Sequence, residues 1–388
     1  MRRTLTMAAA ATALALLGGP LPVAEAGTAR AVGRWSVREA QSFWTADRMA
    51  SATPAPLAPS GAGAPSGAAA PADAAAPADA VVPSDVAAPA VPSGAPSPAP
   101  APATDADADA DADSATPVTA PAGPAAPVPS PSAESDRAGD TIGAALAGPG
   151  AGANFDGIPV VGRMFVMKGA GAYFCTASVV ASPGRNLVLS AAHCLLGSDT
   201  RKVAFVPRYT AGNPRPYGMF PVLRDSRGRS KVWIHPRYRS QGANRAATLD
   251  VAFAQVGPGP KGRRVQDVVG GNRLLTGGPF AHPRVTLIGH PSSAARPRVC
   301  VNRTTKFTSG DARIPGSFLR IACTGYPGGT SGGPFLARYD AKSRTGDVIG
   351  VIGGWKTGGD TPDVSYSSYF GKEVRALFNT AVAGSRVG

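Results

Sequence analysis

The sequence predicts an all-β domain over residues 154–388, preceded by a long segment that has no core of its own. Three observations carry this reading. Beyond Asn154, short apolar runs recur between Gly, Pro and polar turns with few helical stretches between them, the pattern of a β barrel or sandwich. From Ser51 to about Asp140 the chain is rich in Ala and Pro and almost without aromatic or large aliphatic side chains. The 48 Gly and 39 Pro of the 388 residues are spread very unevenly, so length does not translate into two or three ordinary domains.

In chain order, the N-terminus has the layout of an export signal. Arg2 and Arg3 form a positive end, residues 7–17 a short apolar core, and Ala24-Glu25-Ala26 a cleavage site. The expectation is a signal peptide at 1–26 and a secreted, extracellular protein. No transmembrane segment is expected, because no apolar stretch reaches the ~20 residues a helix needs to span a bilayer. Residues 27–50 form a short amphipathic segment in which Trp35, Val37, Phe43, Trp44 and Met49 suit one or two helical turns docked on another surface, or else a loose tail. Residues 51–153 read as a disordered Ala/Pro/Asp-rich linker. Asp105, Asp107, Asp109, Asp111 and Asp113 alternate with Ala. Too little apolar surface is available to offset the entropy of ordering such a segment, while Pro and like charges keep it extended.

The folded region is expected to hold strands near residues 164–167, 172–180, 187–189, 203–206, 232–234, 251–256, 285–288, 318–321 and 348–352. A closing helix over 372–383 places Val374, Leu377, Phe378 and Val382 on one side. This region is strongly basic: residues 155–388 carry 32 Lys plus Arg against 11 Asp plus Glu, whereas residues 1–154 carry 7 against 14. A basic surface suits contact with anionic polymers, such as those of a cell wall, as well as simple solubility. No nucleic-acid motif accompanies the charge, so no specific nucleic-acid partner is expected. Four cysteines, an even number, fit an oxidising compartment. Three pairings exist, of which proximity favours Cys175 with Cys194 and Cys300 with Cys323. No C-x-x-C or H-x-x-x-H spacing supports a zinc site.

Three runs carry chemistry. In Thr324-Gly325-Tyr326-Pro327-Gly328-Gly329-Thr330-Ser331-Gly332-Gly333-Pro334 a serine sits on a glycine-rich turn. A nucleophilic hydroxyl needs such exposure, with backbone N–H groups aimed at a developing oxyanion. Gly332 and Gly333 are expected to leave room for substrate. In Leu187-Val188-Leu189-Ser190-Ala191-Ala192-His193-Cys194 an apolar strand ends on an imidazole beside a cysteine, a fitting place for a general base. In Thr248-Leu249-Asp250-Val251-Ala252-Phe253-Ala254 a carboxylate opens an apolar strand, where burial obliges it to find partners. His282 and His290, each followed by Pro, stand in loop contexts. A lone histidine is more often structural, although His290 is conceivable as a partner for an acidic substrate side chain.

Residues 156–383 resemble the chymotrypsin/trypsin-like serine peptidases, in particular their secreted bacterial members. The resemblance rests on Phe174-Cys175-Thr176-Ala177-Ser178 followed by Ser190 to Cys194, on His235-Pro236-Arg237-Tyr238 ahead of Leu249-Asp250-Val251-Ala252, and on Gly329-Thr330-Ser331-Gly332-Gly333-Pro334. It implies two six-stranded antiparallel β-barrels with the site in the cleft between them. It also implies a Ser331 nucleophile, a His193 base and an Asp250 that orients it, with the N–H groups of Gly329 and Ser331 as oxyanion hole. No cofactor or metal is implied, a polypeptide is the substrate, and a monomer is expected. The function implied is a secreted endopeptidase working through an acyl-enzyme. The alternative is a catalytically silent extracellular binding module on the same fold.

Three departures qualify the resemblance. Thr330 replaces the Asp that pairs with a new N-terminus in zymogen-activated members, so that activation route is expected to be absent. In Gly350-Val351-Ile352-Gly353-Gly354-Trp355, which looks like the wall of the specificity pocket, Gly353 stands for a Ser that often bonds the catalytic Asp. Gly325 falls near the pocket floor, where trypsins carry Asp, although Asp363 is placed to line the pocket and attract a basic side chain.

Overall fold

Strands form where the apolar runs lie, because β-branched and aromatic residues pack well on a pleated surface. The computed structural model describes residues 35–56, 148–197 and 201–386. The export signal at 1–26 and linker residues 57–147, with their Asp–Ala alternation, lie outside the described residues. In the N-terminal half the strands are β1 (Thr53–Pro54), β2 (Ala153–Asn154), β3 (Val161–Lys168), β4 (Gly171–Val180), β5 (Leu187–Ser190), β6 (Arg201–Pro207), β7 (Phe220–Pro221), β8 (Val232–Ile234) and β9 (Ala252–Gln255). There follow β10 (Arg273–Leu274), β11 (Val285–Gly289), β12 (Arg298–Asn302), β13 (Thr304–Thr308), β14 (Ser317–Ala322), β15 (Pro334–Asp340), β16 (Thr345–Val351) and β17 (Val364–Ser368). The α-helices are α1 (Val37–Phe43), α2 (Ala46–Ser51), α3 (Ala192–Leu195), α4 (Pro236–Arg245), α5 (Val265–Val269) and α6 (Lys372–Arg386).

The first sheet runs β7-β6-β3-β4-β5-β9-β8 with antiparallel neighbours, and β1 adds to β4 in parallel. The second half is built from a six-stranded sheet, β10-β16-β15-β11-β12-β2, and a three-stranded sheet, β13-β14-β17. Arg303 alone separates β12 from β13, so the chain passes almost directly from one of these sheets to the other. Two curled, mostly antiparallel halves and a C-terminal helix are thus the form that the expected double barrel takes.

Successive side chains of a strand face opposite ways, and here both faces are covered. Met164 and Val166 of β3 and Cys175, Ala177 and Val179 of β4 point into one core with Val188, Phe205 and Ala254. Phe165 and Phe174 point the other way, onto Trp35, Trp44 and Met49 of the N-terminal segment. This explains why β3 and β4 read as nearly continuous apolar runs instead of alternating ones. A further core joins the two halves: Leu189 and Phe253 meet Ile288, Leu336 and Val351, with Val374, Leu377 and Ala381 of α6 closing over them.

The segment read as one or two docked turns is α1 and α2. A capping box between Ser36 and Glu39 starts α1, and the Thr45 hydroxyl caps α2. Both indole N–H groups are satisfied by β6: Trp35 Nε1 donates to Val203 O at 3.1 Å and Trp44 Nε1 to Lys202 O at 2.6 Å. Inside the span read as linker, Ser51 still closes α2 and Thr53–Pro54 pair as β1. At its other end, Ala153 pairs with Val299 of β12. Among the longer strands, β12, β13, β15 and β17 were outside the expected set; β13 and β17 are mostly polar, and β13 is largely exposed.

Candidate active site

Two disulfides fix the ground around the site. Cys175–Cys194 ties β4 to α3, and Cys300–Cys323 ties β12 to the loop after β14, which are the two pairings that sequence proximity favoured. Entropy of loop closure values each at roughly 3 kcal/mol. The sulfurs of Cys175 and Cys194 lie near the His193 ring in a cluster that could suggest a metal. Both are oxidised into a disulfide and offer no thiolate, so the cluster is not a metal site.

His193 sits in the short helix α3, at the end of β5. Asp250 follows a 3₁₀ turn, Ala247–Leu249, just before β9, and β9 pairs with β5. That pairing brings the two side chains together. Asp250 Oδ2 lies 2.8 Å from His193 Nδ1, and Asp250 Oδ1 accepts the His193 backbone N–H at 2.9 Å. Both residues are fully buried. Burial pushes the Asp250 carboxyl up, but the His193 charge and the hydrogen bonds from His193 and Gly354 outweigh it. Its pKa lies below the ordinary aspartate value. With Nδ1 donating to a carboxylate, Nε2 is the ring atom left to accept a proton. That Nε2 is buried and has no hydrogen-bond partner.

The glycines expected to form the pocket wall lie against Asp250. Gly354 N–H donates to Asp250 Oδ2 at 2.9 Å, so a main-chain donor does what a serine at 353 was expected to do. A Cβ on Gly353 would stand 2.9 Å from the same oxygen, which leaves no room there for a side chain. Ser368, unnoticed in the sequence, accepts the Asp250 N–H and donates to Ala247 O. Tyr238 is buried in the same region; burial, then the Asp250 charge, raises its phenol well above the usual range. Trp355 packs on Tyr366 and Phe307.

Ser331 is held by main chain. Its carbonyl accepts from Thr176 N–H of β4 at 2.8 Å, and the following Gly332 N–H donates to Ile352 O at 2.7 Å. The turn before it depends on Gly329, whose φ of 96° lies in the left-handed region that favours glycine. Thr176 Oγ1 holds this turn by donating to Gly329 O and accepts the His290 N–H. Among the described residues, neither Gly329 N–H nor Ser331 N–H donates to a protein acceptor, so both remain available for an oxyanion. No hydrogen bond joins Ser331 to His193. Gly332 and Gly333, expected to leave room for substrate, pack instead on Thr176, Ser190 and Ile288.

The remaining site candidates lie elsewhere. The Thr330 hydroxyl donates to Pro327 O at 2.8 Å and is used locally. Asp363 is exposed and accepts the Gly325 N–H at 3.1 Å, while the Arg298 guanidinium lies against Gly325 and bonds Thr324 O and Gly152 O. Asp363 and Gly325 are therefore neighbours, with a positive charge already beside them. His290 is buried behind the Ser331 turn, near Tyr209 and Arg163, and its pKa lies well below the ordinary value through burial first and the Arg163 charge second. His282 is partly buried, with its N–H on Thr304 Oγ1.

No family model matches the chain, and no curated protein matches it. Among solved structures it is similar to the protease Anisep from Arthrobacter nicotinovorans, at 22% identity and a TM-score of 0.50, over 60% of this chain and 99% of that one. A thermostable serine protease, AL20, from an extremophilic microorganism aligns at 23% identity and a TM-score of 0.48, over 58% and 97%. A Glu endopeptidase aligns at 15% and 0.43, over 62% and 99%. The likeness to Anisep establishes the fold: the described region has the chymotrypsin-like architecture.

Proposed function

We propose that the protein is a serine endopeptidase of the chymotrypsin/trypsin-like type, exported from the cell and working through an acyl-enzyme. The reading is carried by one observation: a fully buried Asp250–His193 pair with Nε2 unpaired, on the same framework that holds Ser331 on a Gly329 turn beside two uncommitted N–H groups. In this reading Ser331 Oγ attacks the peptide carbonyl as Nε2 takes its proton. The oxyanion forms against the N–H groups of Gly329 and Ser331. His193 returns the proton to the leaving amine, and water then repeats the sequence on the ester. Asp250 keeps the ring in the required tautomer throughout. Protease activity on a shared fold, as in Anisep, supports the reading, and two disulfides support the oxidising compartment that export provides.

Labelling with a fluorophosphonate probe tests the nucleophile. The adduct is expected on Ser331, absent from Ser331→Ala and strongly reduced in His193→Ala. An adduct that persists in Ser331→Ala would remove the assignment.

A further inference from the structure

Strand β4 has one edge that the first sheet leaves open. β3 covers one side from Gly171 to Ser178, but β5 pairs only Ser178 to Val180 on the other. Two ligands fill the open edge. Thr176 N–H donates to Ser331 O at 2.8 Å, and Phe174 O accepts from Ala55 N–H at 3.0 Å. At ~3.3 Å per residue the two positions are about 7 Å apart along the strand. Residues 53–55 therefore lie beside the Ser331 turn. Pro54 packs on Gly328, three residues before Ser331, with a Cβ on Gly328 standing 3.1 Å from Pro54 Cβ. Ala55 packs on the core that contains Cys175, Cys194 and Ala192, around His193. His193 itself has no exposed surface.

The leaving amine must lie on the His193 side of Ser331, because Nε2 hands it the proton, and Cys175–Cys194 ties β4 to the helix that carries His193, so the β4 edge flanks the leaving group. We propose that Thr53–Ala55 occupy that edge as a strap and so limit the length of leaving group the enzyme accepts, to about two residues beyond the scissile bond at ~3.3 Å each. This rests on the peptidase reading. Two features make the segment a lasting occupant and not a substrate. Trp35, Trp44 and Met49 are buried behind it, each large apolar side chain holding the strap by an energy well above thermal. β1 also runs parallel to β4, towards Ser331, whereas the leaving side of a substrate must run away from it. The polarity is opposite to that of a cleavable chain.

The test compares three substrates sharing one acyl sequence, chosen by library profiling: an arylamide, and quenched peptides extending two or five residues past the scissile bond. In the intact protein the longest peptide is expected to be the poorest. Ala55→Pro removes the N–H to Phe174 O and keeps the tryptophan anchors. It should raise kcat/KM for the longest peptide by about tenfold, the worth of one good hydrogen bond, and leave the arylamide within about twofold. Deletion of residues 35–55 should act in the same direction. Unchanged selectivity in Ala55→Pro, or an equal fall on all three substrates, would overturn the proposal, the latter marking the strap as mere scaffold. A readout without turnover is affinity of the five-residue-extended peptide for Ser331→Ala with and without Ala55→Pro: about tenfold tighter binding supports the strap, and equal binding overturns it. Absence of fluorophosphonate labelling in the intact protein and in Ala55→Pro would instead sink the peptidase reading.

Discussion

Two buried histidines, His193 and His290, have surroundings that differ in sign. His193 and His290 are both essentially without exposed surface, and Nε2 of each lacks a partner. His193 faces the Asp250 carboxylate. His290 faces Arg163, whose guanidinium is sandwiched 3.9 Å from the Phe174 ring centre and 4.5 Å from that of Tyr209, with no carboxylate among the described residues bonded to it. Burial lowers Arg163 itself to about 10. A buried imidazole beside a cation stays neutral and serves as packing. One whose Nδ1 is bonded to a buried carboxylate is fixed in a single tautomer with Nε2 facing outward from that pair. Burial is common to both rings; the partner each one faces is what separates them.

The comparison breaks most directly at Asp250. Asp250→Asn should leave the fold in place, by circular dichroism, and lower kcat by about 10⁴-fold, since the amide favours the wrong tautomer. Activity within about tenfold of the parent would mean that the two histidines do not differ as argued. Gly353→Ala is a finer probe. Its methyl would press on Asp250 Oδ2. A displacement of this kind should cost about 10- to 100-fold in kcat while KM moves little.

The smallest effect concerns acid stability. The folded pKa of His290 lies below the unfolded value of about 6.5, so the unfolded chain binds the proton first. Stability is then full above about pH 6.5 and falls on acidification towards the folded pKa, by up to about 1.4 kcal/mol per pH unit, or about 2–4 °C in Tm. His290→Gln should flatten this slope between pH 7 and 5 in thermal melts. His235, also lowered by burial and by Arg237, contributes to the same window in both proteins, so the difference between melts is what reports on His290. Asp250 acts elsewhere: its folded pKa is depressed, so its contribution is present above about pH 4 and is lost below it. An unchanged slope in His290→Gln would show that the Arg163 side is not the hostile environment described.

What could be read in the sequence follows from range. His193, Asp250 and Ser331 stood out because each is embedded in a local run whose neighbours already suggest strand end, strand start and tight turn. Most core strands and α6 announced themselves by apolar runs and by a 3.6-residue period, whereas β12 and β15 did not, β15 following directly on the Ser331 run. What supports Asp250 was not legible, since Gly354 and Ser368 reach it across more than a hundred residues and one of them uses only backbone. Thr176 was noticed as part of a motif, not as the bridge between His290 and the Gly329 turn. Pro54 sits in a stretch whose composition argues for an unpaired chain; its pairing with Phe174 is purely tertiary. The sequence did place position 353 next to Asp250, through the serine that it replaces, but not the backbone N–H of Gly354 that bonds the carboxylate.

The docking of α1, α2 and β1 has a consequence for molecularity. A nick anywhere between residues 56 and 148 would turn one chain into a complex of two fragments held, among the described residues, by the tryptophan face and the β1–β4 pairing. Retention of the N-terminal fragment would then obey mass action, so dilution would strip it off and concentration would restore it. Gel filtration of nicked protein at falling concentration would show the change as an elution shift, and denaturing electrophoresis would show two bands at every concentration.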